Sequence, residues 1–294
     1  MCSSDLGGMM DLSVIVPVLD GADTIREALD AVLAQTFERE WEVVVVDNGS
    51  TDATPAILAD LAAHHPRLRT VRADDGVGPS HARRVGIAAT TSPWLVFCDA
   101  DDVVVPGWLA ALAGPLAGAE VVTGPLDPVP LNPDWLARSR GVYPTDRPLS
   151  WYGVFPTVSF GNFAIRRETY ERIGPFREDF LTGEDHEYSL RLATAGVAFA
   201  FAPDAVVAYR MRGTPRDLWR QGVAYGRSRP RLRREVVRAG LRPPGRLHGW
   251  RSWLLLVARL PSVRDRAGRA QWCWIAGVRA GHVLGSLHER SLFI

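Results

Sequence analysis

The stretch Trp94-Leu95-Val96-Phe97-Cys98-Asp99-Ala100-Asp101-Asp102 decides the fold expected for this chain. Its first five residues are apolar and have the length and composition of a buried β-strand. Asp99 and Asp101 follow at the carboxyl end of that strand, the edge where open α/β sheets place ligands. If the extended geometry continues, both carboxylates point to one side and suit a hard divalent cation, usually Mg²⁺ or Mn²⁺. The alternative is a solvated acidic turn that caps the next helix.

The region before this stretch alternates between strand and helix patterns. Apolar runs at residues 12–17, 41–46 and 68–73 are separated by segments whose apolar residues recur at helical spacing. The second run contains four consecutive valines, which is typical of a parallel strand buried on both faces. With residues 94–98 as the fourth strand, this order predicts a doubly wound, mixed but mostly parallel α/β sheet.

Further elements are expected after the fourth strand. A proline-rich stretch at residues 125–150 shows little periodicity and predicts a long loop, which in a compact domain is often functional. The other expected elements are helices at 108–116, 166–173 and from 182, and strands at 120–123, 158–165, 197–201 and 205–209.

Charge divides the 294-residue chain into two regions, although its net charge is only +1. Every basic residue is an arginine. Residues 1–209 contain 15 arginines and 29 acidic residues, whereas residues 210–294 contain 19 arginines and four acidic residues. We therefore expect a main α/β domain at residues 10–212 and a basic, amphipathic helical region at residues 213–294, after a disordered leader at residues 1–9.

Cysteines, histidines and hydropathy give weaker indications. The three cysteines are far apart and odd in number, so they indicate no disulfide framework, and a reduced, cytoplasmic setting fits. No run reaches the ~18 apolar residues of a spanning helix, and the first ten residues lack the segments of a signal peptide. His64, His65 and His81 read as surface or loop residues without zinc-ligand spacing.

Three acidic clusters lie at predicted strand or loop ends: Asp47, the pair Asp99 and Asp101, and the pair Glu184 and Asp185. Parallel strands end at one edge of the sheet, so the first two clusters should converge. Clustered acids repel one another and need a cation or a ligand rich in donors. Asp47 has two open interpretations, because it could accept from a base or sugar group or cap the helix that begins near Thr51.

Two helix starts also carry candidate residues. A small-residue loop leads into a helix at Arg83, which could therefore face an anion and reach a phosphate. Asp185 lies near another predicted helix start, where the helix dipole stabilises an ionised carboxylate. Such a carboxylate can accept a proton from a hydroxyl as a general base. The alternative for Asp185 is an ordinary charged first turn.

At this point the chain resembles the family 2 glycosyltransferases, which have the GT-A fold. The resemblance covers roughly residues 12–209 and implies inverting transfer of a sugar from a nucleotide diphosphate sugar to an acceptor hydroxyl, in cell-envelope or extracellular glycan synthesis. Its motifs, in chain order, are Ser13-Val14-Ile15-Val16-Pro17, Asp47-Asn48-Gly49-Ser50-Thr51-Asp52, Ala82-Arg83-x-x-Gly86, Asp99-Ala100-Asp101, Gly161-Asn162-x-Ala164-x-Arg166-Arg167 and Gly183-Glu184-Asp185.

The resemblance also implies roles for individual residues. Asp47 would contact the nucleobase and Asp99 the ribose, whereas Asp101 would ligate the Mn²⁺ or Mg²⁺ that bridges the diphosphate. Asp185 would be the general base, and Arg210 stands where the family sometimes has a metal-assisting histidine. Besides the catalytic Asp185 and the metal ligand Asp101, the expected substrate-binding residues are Pro17, Asp20, Asp47, Arg83, Asp99, Ala100, Glu184 and Arg210.

Other functions remain open from the sequence. A non-catalytic nucleotide-sugar-binding or scaffold protein would use the same fold, because fold alone does not settle activity. A nucleotidyltransferase usually has a glycine-rich basic loop after the first strand, which this chain lacks at Val18-Leu19-Asp20-Gly21.

The arginine-rich tail has three interpretations. It could be a lid or homodimer surface, or it could bind anionic lipid head groups through arginines with Trp250, Trp253, Trp272 and Trp274 at the interface. Nucleic-acid binding is disfavoured because the acidic half would repel a polyanion. The membrane interpretation would suit a glycan or lipid-linked acceptor and a peripheral location at the inner face of the plasma membrane.

Overall fold

The computed structural model describes residues 10–140, 143–245, 249–291 and 293, so the expected leader at 1–9 lies outside the described residues. The strands are β1 Leu12–Val18, β2 Trp41–Asp47, β3 Leu68–Arg72, β4 Trp94–Cys98, β5 Val103–Val104, β6 Val121–Thr123, β7 Leu126–Asp127, β8 Leu149–Trp151, β9 Phe155–Thr157, β10 Asn162–Arg166, β11 Phe199–Phe201 and β12 Val207–Ala208. The helices are α1 Ile25–Leu33, α2 Thr54–His64, α3 Pro79–Ala88, α4 Trp108–Ala113, α5 Asp134–Ala137, α6 Arg167–Ile173, α7 Glu184–Thr194, α8 Pro215–Arg238, α9 Trp250–Ala258 and α10 Arg266–His288.

The described chain forms two compact units. The first comprises the chain up to Pro125, Ser159–Glu178 and Val197–Val207, and the second comprises Leu126–Val158, Asp179–Gly196 and the chain from Ala208 onward. None of the helices in the described residues is long and apolar enough to cross a lipid bilayer.

The first unit is built on a seven-stranded sheet in the order β11-β6-β10-β4-β1-β2-β3. Strands β4, β1, β2 and β3 run parallel, as do β11 and β6, while β10 is antiparallel to both of its neighbours. The prediction of a mixed, mostly parallel sheet is therefore confirmed. Because the first four strands are parallel, the loops that follow them open at one edge.

Apolar runs form the centre of this sheet because they can be covered on both faces. Val43, Val44, Val45 and Val46 of β2 are all fully buried, as the sequence pattern predicted. On the neighbouring β10, Phe163 stacks on Phe97 of β4 with ring centroids 4.6 Å apart.

The strand expected at 158–165 does not form as one element. The structure has β9 at Phe155–Thr157 and β10 at Asn162–Arg166, with a turn between them. Asn162 explains where β10 begins, because its buried amide is fixed by tertiary contacts. Its Nδ2 donates to the backbone oxygens of Pro125 and Ala205, at 2.9 and 2.7 Å, and its Oδ1 accepts from Trp108 Nε1 at 2.9 Å.

In the second unit, α8 and α10 pack closely because glycines line the contact. A Cβ atom added at Gly281 would lie 2.3 Å from the backbone oxygen of Val223, and one at Gly226 would lie 2.2 Å from that of Val278. Side chains before and after residue 212 share a core, in which Trp151 and Phe180 pack with residues of α8. The boundary expected at 212/213 stays a prediction.

Candidate active site

The acidic stretch lies at the carboxyl end of β4. Exposure alternates along it, because Asp99 and Asp101 are partly exposed whereas Ala100 and Asp102 are buried. Asp99 has 36% of its side chain exposed, and its Oδ1 accepts a 2.6 Å hydrogen bond from Arg83 Nη2. Asp99 is therefore held by the protein while it remains open to a ligand.

Arg83 reaches Asp99 from the first turn of α3. Its guanidinium is buried and lies over the ring of Phe160, 5.0 Å from the centroid. One turn later, Gly86 lets α3 approach the sheet, since a Cβ there would lie 2.6 Å from Ile15 Cγ2 and 2.9 Å from Val46 Cγ2. The sequence motif around Arg83 and Gly86 thus sets both the helix position and the ion pair.

Two residues next to Asp99, Gly161 and Cys98, affect the space and the reactive groups at this edge. A Cβ added at Gly161 would lie 2.7 Å from Asp99 Oδ2, so this glycine makes room for the carboxylate. Burial raises the pKa of Cys98, and the neighbouring charges of Asp99 and Asp102 raise it further. The Cys98 thiol stays protonated and is no candidate nucleophile.

The loops after β1 and β2 are joined by polar contacts. Asp20 Oδ1 accepts from the backbone nitrogen of Thr51 at 2.7 Å, and the nitrogen of Asp20 donates to Ser50 Oγ at 2.9 Å. Pro17 lies just upstream in β1, opposite Val46 in the sheet register. Asp20 is thus a loop-bridging residue, with a positive φ of 48° that the contacts to the β2 loop help to hold.

Asp47 ends β2 and is almost completely buried. Its Oδ1 accepts from the backbone nitrogen of Ser50 at 2.8 Å, which closes a turn. Helix α2 begins only at Thr54 and has no side-chain cap, so the interpretation of Asp47 as a helix cap is wrong. Arg72 lies 3.8 Å from its other oxygen.

The loops after β3 and β4 are tied to the same edge. Asn48 Nδ2 donates to the backbone oxygens of Ala73 and Gly76, at 2.6 and 2.9 Å, and its Oδ1 accepts from the nitrogen of Gly78. Thr24 Oγ1 donates to the backbone oxygen of Ala100 at 3.1 Å. The four parallel strands therefore end in loops that hold one another in place.

His81 was expected at the surface, and that prediction was wrong. It is buried in α3, with its ring nitrogens 2.9 Å from Asp75 and 3.2 Å from Glu178. Gly76 packs directly against the ring, because a Cβ there would come within 2.5 Å of it. His81 thus braces the loop that precedes α3.

Glu184 and Asp185 open α7, in the second unit. Gly183 precedes them with a φ of 77°, which favours glycine. Asp185 Oδ1 accepts from the backbone nitrogen of His186 at 2.7 Å and lies 2.8 Å from its Nδ1. These contacts orient a carboxylate that is one quarter exposed.

Tyr225 of α8 lies near enough to Glu184 and Asp185 for their charges to act on it, which the sequence did not reveal. Burial raises its pKa well above the ordinary value, and the charges of Tyr209, Asp185 and Glu184 raise it further, so its hydroxyl stays protonated. Next to Tyr225 in the chain, the backbone oxygen of Ala224 accepts a 2.8 Å hydrogen bond from Thr182 Oγ1, which joins the start of α7 to α8.

Arg210 also belongs to the second unit, and Asn132 positions it. Asn132 Nδ2 donates to the backbone oxygen of Tyr209 at 2.7 Å, and its Oδ1 accepts from the nitrogen of Met211 at 2.9 Å. Asn132 lies in the proline-rich stretch 125–150, which was expected to be a long loop. That expectation was wrong, since the stretch contains β7, α5 and β8.

The first unit thus brings together the ends of β1, β2 and β4 and the start of α3, while Glu184, Asp185 and Arg210 lie in the second. Within the described ranges, no three His, Cys, Asp or Glu side chains form a group that could hold a metal ion by themselves.

Comparison with known proteins is consistent with this arrangement. AglE, a glycosyltransferase of Haloferax volcanii, is 29% identical over 66% of this chain and 65% of its own length. The succinoglycan biosynthesis protein ExoO of Rhizobium meliloti is 40% identical over 42% of this chain and 35% of its own. The chain therefore covers about a third to two thirds of the length of these relatives.

Solved structures give the fold. The mannosyltransferase PcManGT of Pyrobaculum calidifontis, in complex with GDP-Man and Mn²⁺, matches with a TM-score of 0.68 at 23% identity, over 96% of this chain and 89% of that one. TarS of S. aureus, in complex with UDP-GlcNAc, matches with a TM-score of 0.56 at 17% identity, over 96% and 93%. The prediction of a GT-A-type fold is confirmed.

Family models match most of the described chain. The model of glycosyl transferase family 2 matches residues 13–174, which include the ends of all four parallel strands. The model of glycosyl transferase family group 2 matches residues 94–278 and so extends over α7 and α8. The chain belongs to glycosyl transferase family 2.

Proposed function

We propose that this chain transfers a sugar from a nucleotide diphosphate sugar to an acceptor hydroxyl with inversion at the anomeric carbon. The observation that carries the proposal is the Asp99–Arg83 pair at the carboxyl end of β4, which presents an oriented carboxylate at the ligand-binding edge of the sheet. Membership of family 2, and two structural neighbours in complex with GDP-Man and with UDP-GlcNAc, support a donor of this class.

Asp99, Asp47 and Asp101 divide the recognition of the donor. Asp99 accepts from the ribose hydroxyls, and Asp47 contacts the nucleobase from the neighbouring strand end. Pro17, Asp20 and Ala100 shape the loops around them. Arg83 acts through Asp99, because its buried guanidinium is already paired there and supports the carboxylate better than it could reach a phosphate.

Asp101 fits a divalent cation. It is a partly exposed carboxylate, and hard cations such as Mn²⁺ and Mg²⁺ commonly take one or two carboxylates from a protein and the remaining oxygens from phosphates and water. When bound, the ion would neutralise charge on the leaving nucleotide diphosphate.

Asp185 acts as the general base in a single displacement. It takes the proton of the acceptor hydroxyl while that oxygen attacks the anomeric carbon, and the bond to the nucleotide diphosphate breaks on the opposite side. His186 holds the carboxylate in orientation. Glu184 contacts the acceptor, and Arg210, fixed through Asn132, contacts the diphosphate.

Two relatives of the chain suggest a biological setting. ExoO is named for succinoglycan biosynthesis and RfbC of Myxococcus xanthus for O-antigen biosynthesis. We infer a role in envelope or extracellular glycan synthesis, with a glycan or lipid-linked acceptor and a peripheral location at the inner face of the plasma membrane.

A donor panel tests the proposal. The unfolding temperature is first measured with UDP, GDP and dTDP. The nucleotide that binds should raise it, because a ligand at a hundred times its Kd stabilises the folded protein by about 2.7 kcal/mol. Release of that nucleotide from its sugars is then measured with Mn²⁺, with Mg²⁺ and with a chelator. Transfer that the chelator and Asp185→Asn both abolish supports the proposal. A different result would favour a non-catalytic nucleotide-sugar-binding protein. In that case the chain would bind the donor but transfer no sugar to glycan or lipid-linked acceptors, and Asp185→Asn would bind the donor as tightly as the wild type.

A further inference from the structure

Helix α9 exposes a set of large apolar side chains to solvent. We call the surface that they form the α9 face. It continues into the 3₁₀ turn Leu260–Arg264. Its members are Trp250 (50% exposed), Trp253 (40%), Leu254 (58%), Val257 (67%) and Leu260 (51%), and Leu255 on its flank is 46% exposed. Scattered single apolar side chains are normal on a protein surface, but a contiguous set marks an interaction site.

The spacing of the α9 face shows that its exposure is systematic. Positions 250, 253, 254 and 257 fall on one side of a helix, the stripe that a surface helix usually turns toward the core. In this protein the apolar stripe of α9 faces solvent instead. Leu256, on another side, is buried, and its backbone oxygen accepts a 2.9 Å hydrogen bond from Trp272 Nε1 of α10.

The segment that carries this face has an excess of positive charge. Residues 250–269 contain five arginines and one acidic residue, all exposed. The acid, Asp265, caps α10 by accepting from the nitrogen of Gly268 at 2.7 Å. The five arginines are Arg251, Arg259, Arg264, Arg266 and Arg269.

We propose that the α9 face docks on an anionic lipid bilayer, with α9 lying in the plane of the interface. An apolar stripe that contains tryptophans, flanked by arginines, is the composition that inserts shallowly between head groups. With nine residues, α9 is far shorter than the ~20 residues that span a bilayer, so it can only lie on the surface.

The arginines distinguish a bilayer from a second copy of the chain. In a two-fold dimer the α9 face would meet itself, and the arginines of one copy would lie against those of the other. Such like-charge contacts are unfavourable. An anionic bilayer accepts both the apolar stripe and its positively charged surroundings.

This inference deepens the membrane part of the proposed function. It would place the chain at the surface where a lipid-linked acceptor is found. It needs neither donor binding nor sugar transfer, and its test measures binding to lipid alone. A negative result would therefore leave the proposed reaction standing, and an inactive protein could still dock.

The test is flotation of the full chain with vesicles of phosphatidylcholine, with and without phosphatidylglycerol. Binding is expected to require phosphatidylglycerol and to weaken as salt rises, because salt screens the arginines. The double variant Trp253→Ser/Val257→Ser should bind at least about tenfold more weakly, because it removes apolar side chains that would otherwise enter the bilayer.

A matched double variant, Val129→Ser/Leu181→Ser, controls for the loss of exposed apolar surface, since these side chains are 62% and 68% exposed but lie outside the α9 face. It should bind vesicles like the wild type. Equal vesicle binding by Trp253→Ser/Val257→Ser and the wild type would overturn the proposal. So would light scattering that shows a wild-type dimer which this variant dissociates, because a second copy would then cover the face.

Discussion

Arg83 Nη2 lies 2.6 Å from Asp99 Oδ1, and this contact joins α3 to the end of β4. The two partners differ in environment, because the Arg83 side chain is 3% exposed and that of Asp99 is 36% exposed. A buried cation needs its partner more than a partly hydrated carboxylate does. The pair therefore stabilises the protein on one side and presents a fixed acceptor to solvent on the other.

This asymmetry predicts the effect of Asp99→Ala. The substitution removes one charged acceptor from the buried Arg83, so the free energy of unfolding should fall by about 1–3 kcal/mol. Chemical denaturation measures it. The control is Asp60→Ala, which removes an ion pair of similar length with Arg26, at 2.7 Å, but with both side chains about half exposed. That loss should be much smaller, because water screens an exposed ion pair. Equal losses in the two variants would contradict the argument.

Gly161→Ala should weaken nucleotide binding without unfolding the protein. The new Cβ would lie 2.7 Å from Asp99 Oδ2, so the carboxylate must move out of its position. We expect about a tenfold loss of nucleotide affinity, a typical effect of misplacing one charged hydrogen bond. Calorimetric titration measures it. Gly118→Ala is the control, since nothing lies within 4 Å of a Cβ there. The idea fails if both variants bind the nucleotide as the wild type does.

Asp101→Asn should separate metal dependence from nucleotide binding. If Asp101 holds the cation, Mn²⁺ should increase the affinity of the wild type for its nucleotide diphosphate by about tenfold or more, and the variant should lose this increase. Affinity measured in a chelator should be nearly the same for both proteins. A Mn²⁺ effect that persists in Asp101→Asn would place the cation elsewhere.

The strands and their polar ends were predictable because both are local signals. Four buried valines and the run before Asp99 determine β2 and β4, and motifs at strand ends follow from the alternating pattern. The pairing of polar groups could not be predicted from such local signals. Asn162 is fixed by Trp108, 54 residues earlier, and Arg83 meets an acid 16 residues away.

The errors have the same origin. His81 looked like a surface histidine because its two acidic neighbours become adjacent only after folding, and one of them, Glu178, is 97 residues away. Asn132 was passed over because a proline-rich stretch has no periodicity, although its amide fixes both sides of Arg210. Contacts between distant segments leave no period in the sequence.

Gly281→Ala should destabilise the second unit through α10. Alanine normally favours a helix over glycine by about 1 kcal/mol, but a Cβ here would lie 2.3 Å from the backbone oxygen of Val223. Separating two packed helices should cost more, so we expect a net loss of about 1–3 kcal/mol. Gly114→Ala is the matched control, because it has helical dihedrals and open space, and should be neutral or stabilising. Thermal unfolding of both variants tests this, because the unfolding temperature should fall for Gly281→Ala and stay the same or rise for Gly114→Ala.

Glu42→Gln should remove a stabilising contribution that depends on pH. Burial alone raises the pKa of Glu42, but hydrogen bonds from Arg69, Ser13 and Thr90 outweigh it, so the pKa in the folded protein lies below the ordinary 4.5. The unfolded chain therefore binds the proton more tightly. The ionised carboxylate stabilises the fold above the unfolded pKa, and this stabilisation is lost as pH falls through the folded pKa.

At neutral pH the variant should be less stable by about 1–3 kcal/mol, because three donors lose a charged acceptor. This gap to the wild type should narrow as pH falls from 4.5, where the unfolded chain takes up the proton, through the lower folded pKa, where the carboxylate in the fold is protonated as well. Urea unfolding at neutral and acidic pH measures the gap. Glu38→Gln, at an exposed position, should show almost no gap at either pH. A gap for Glu42→Gln that stays constant with pH would mean that the side chain acts by shape and not by charge.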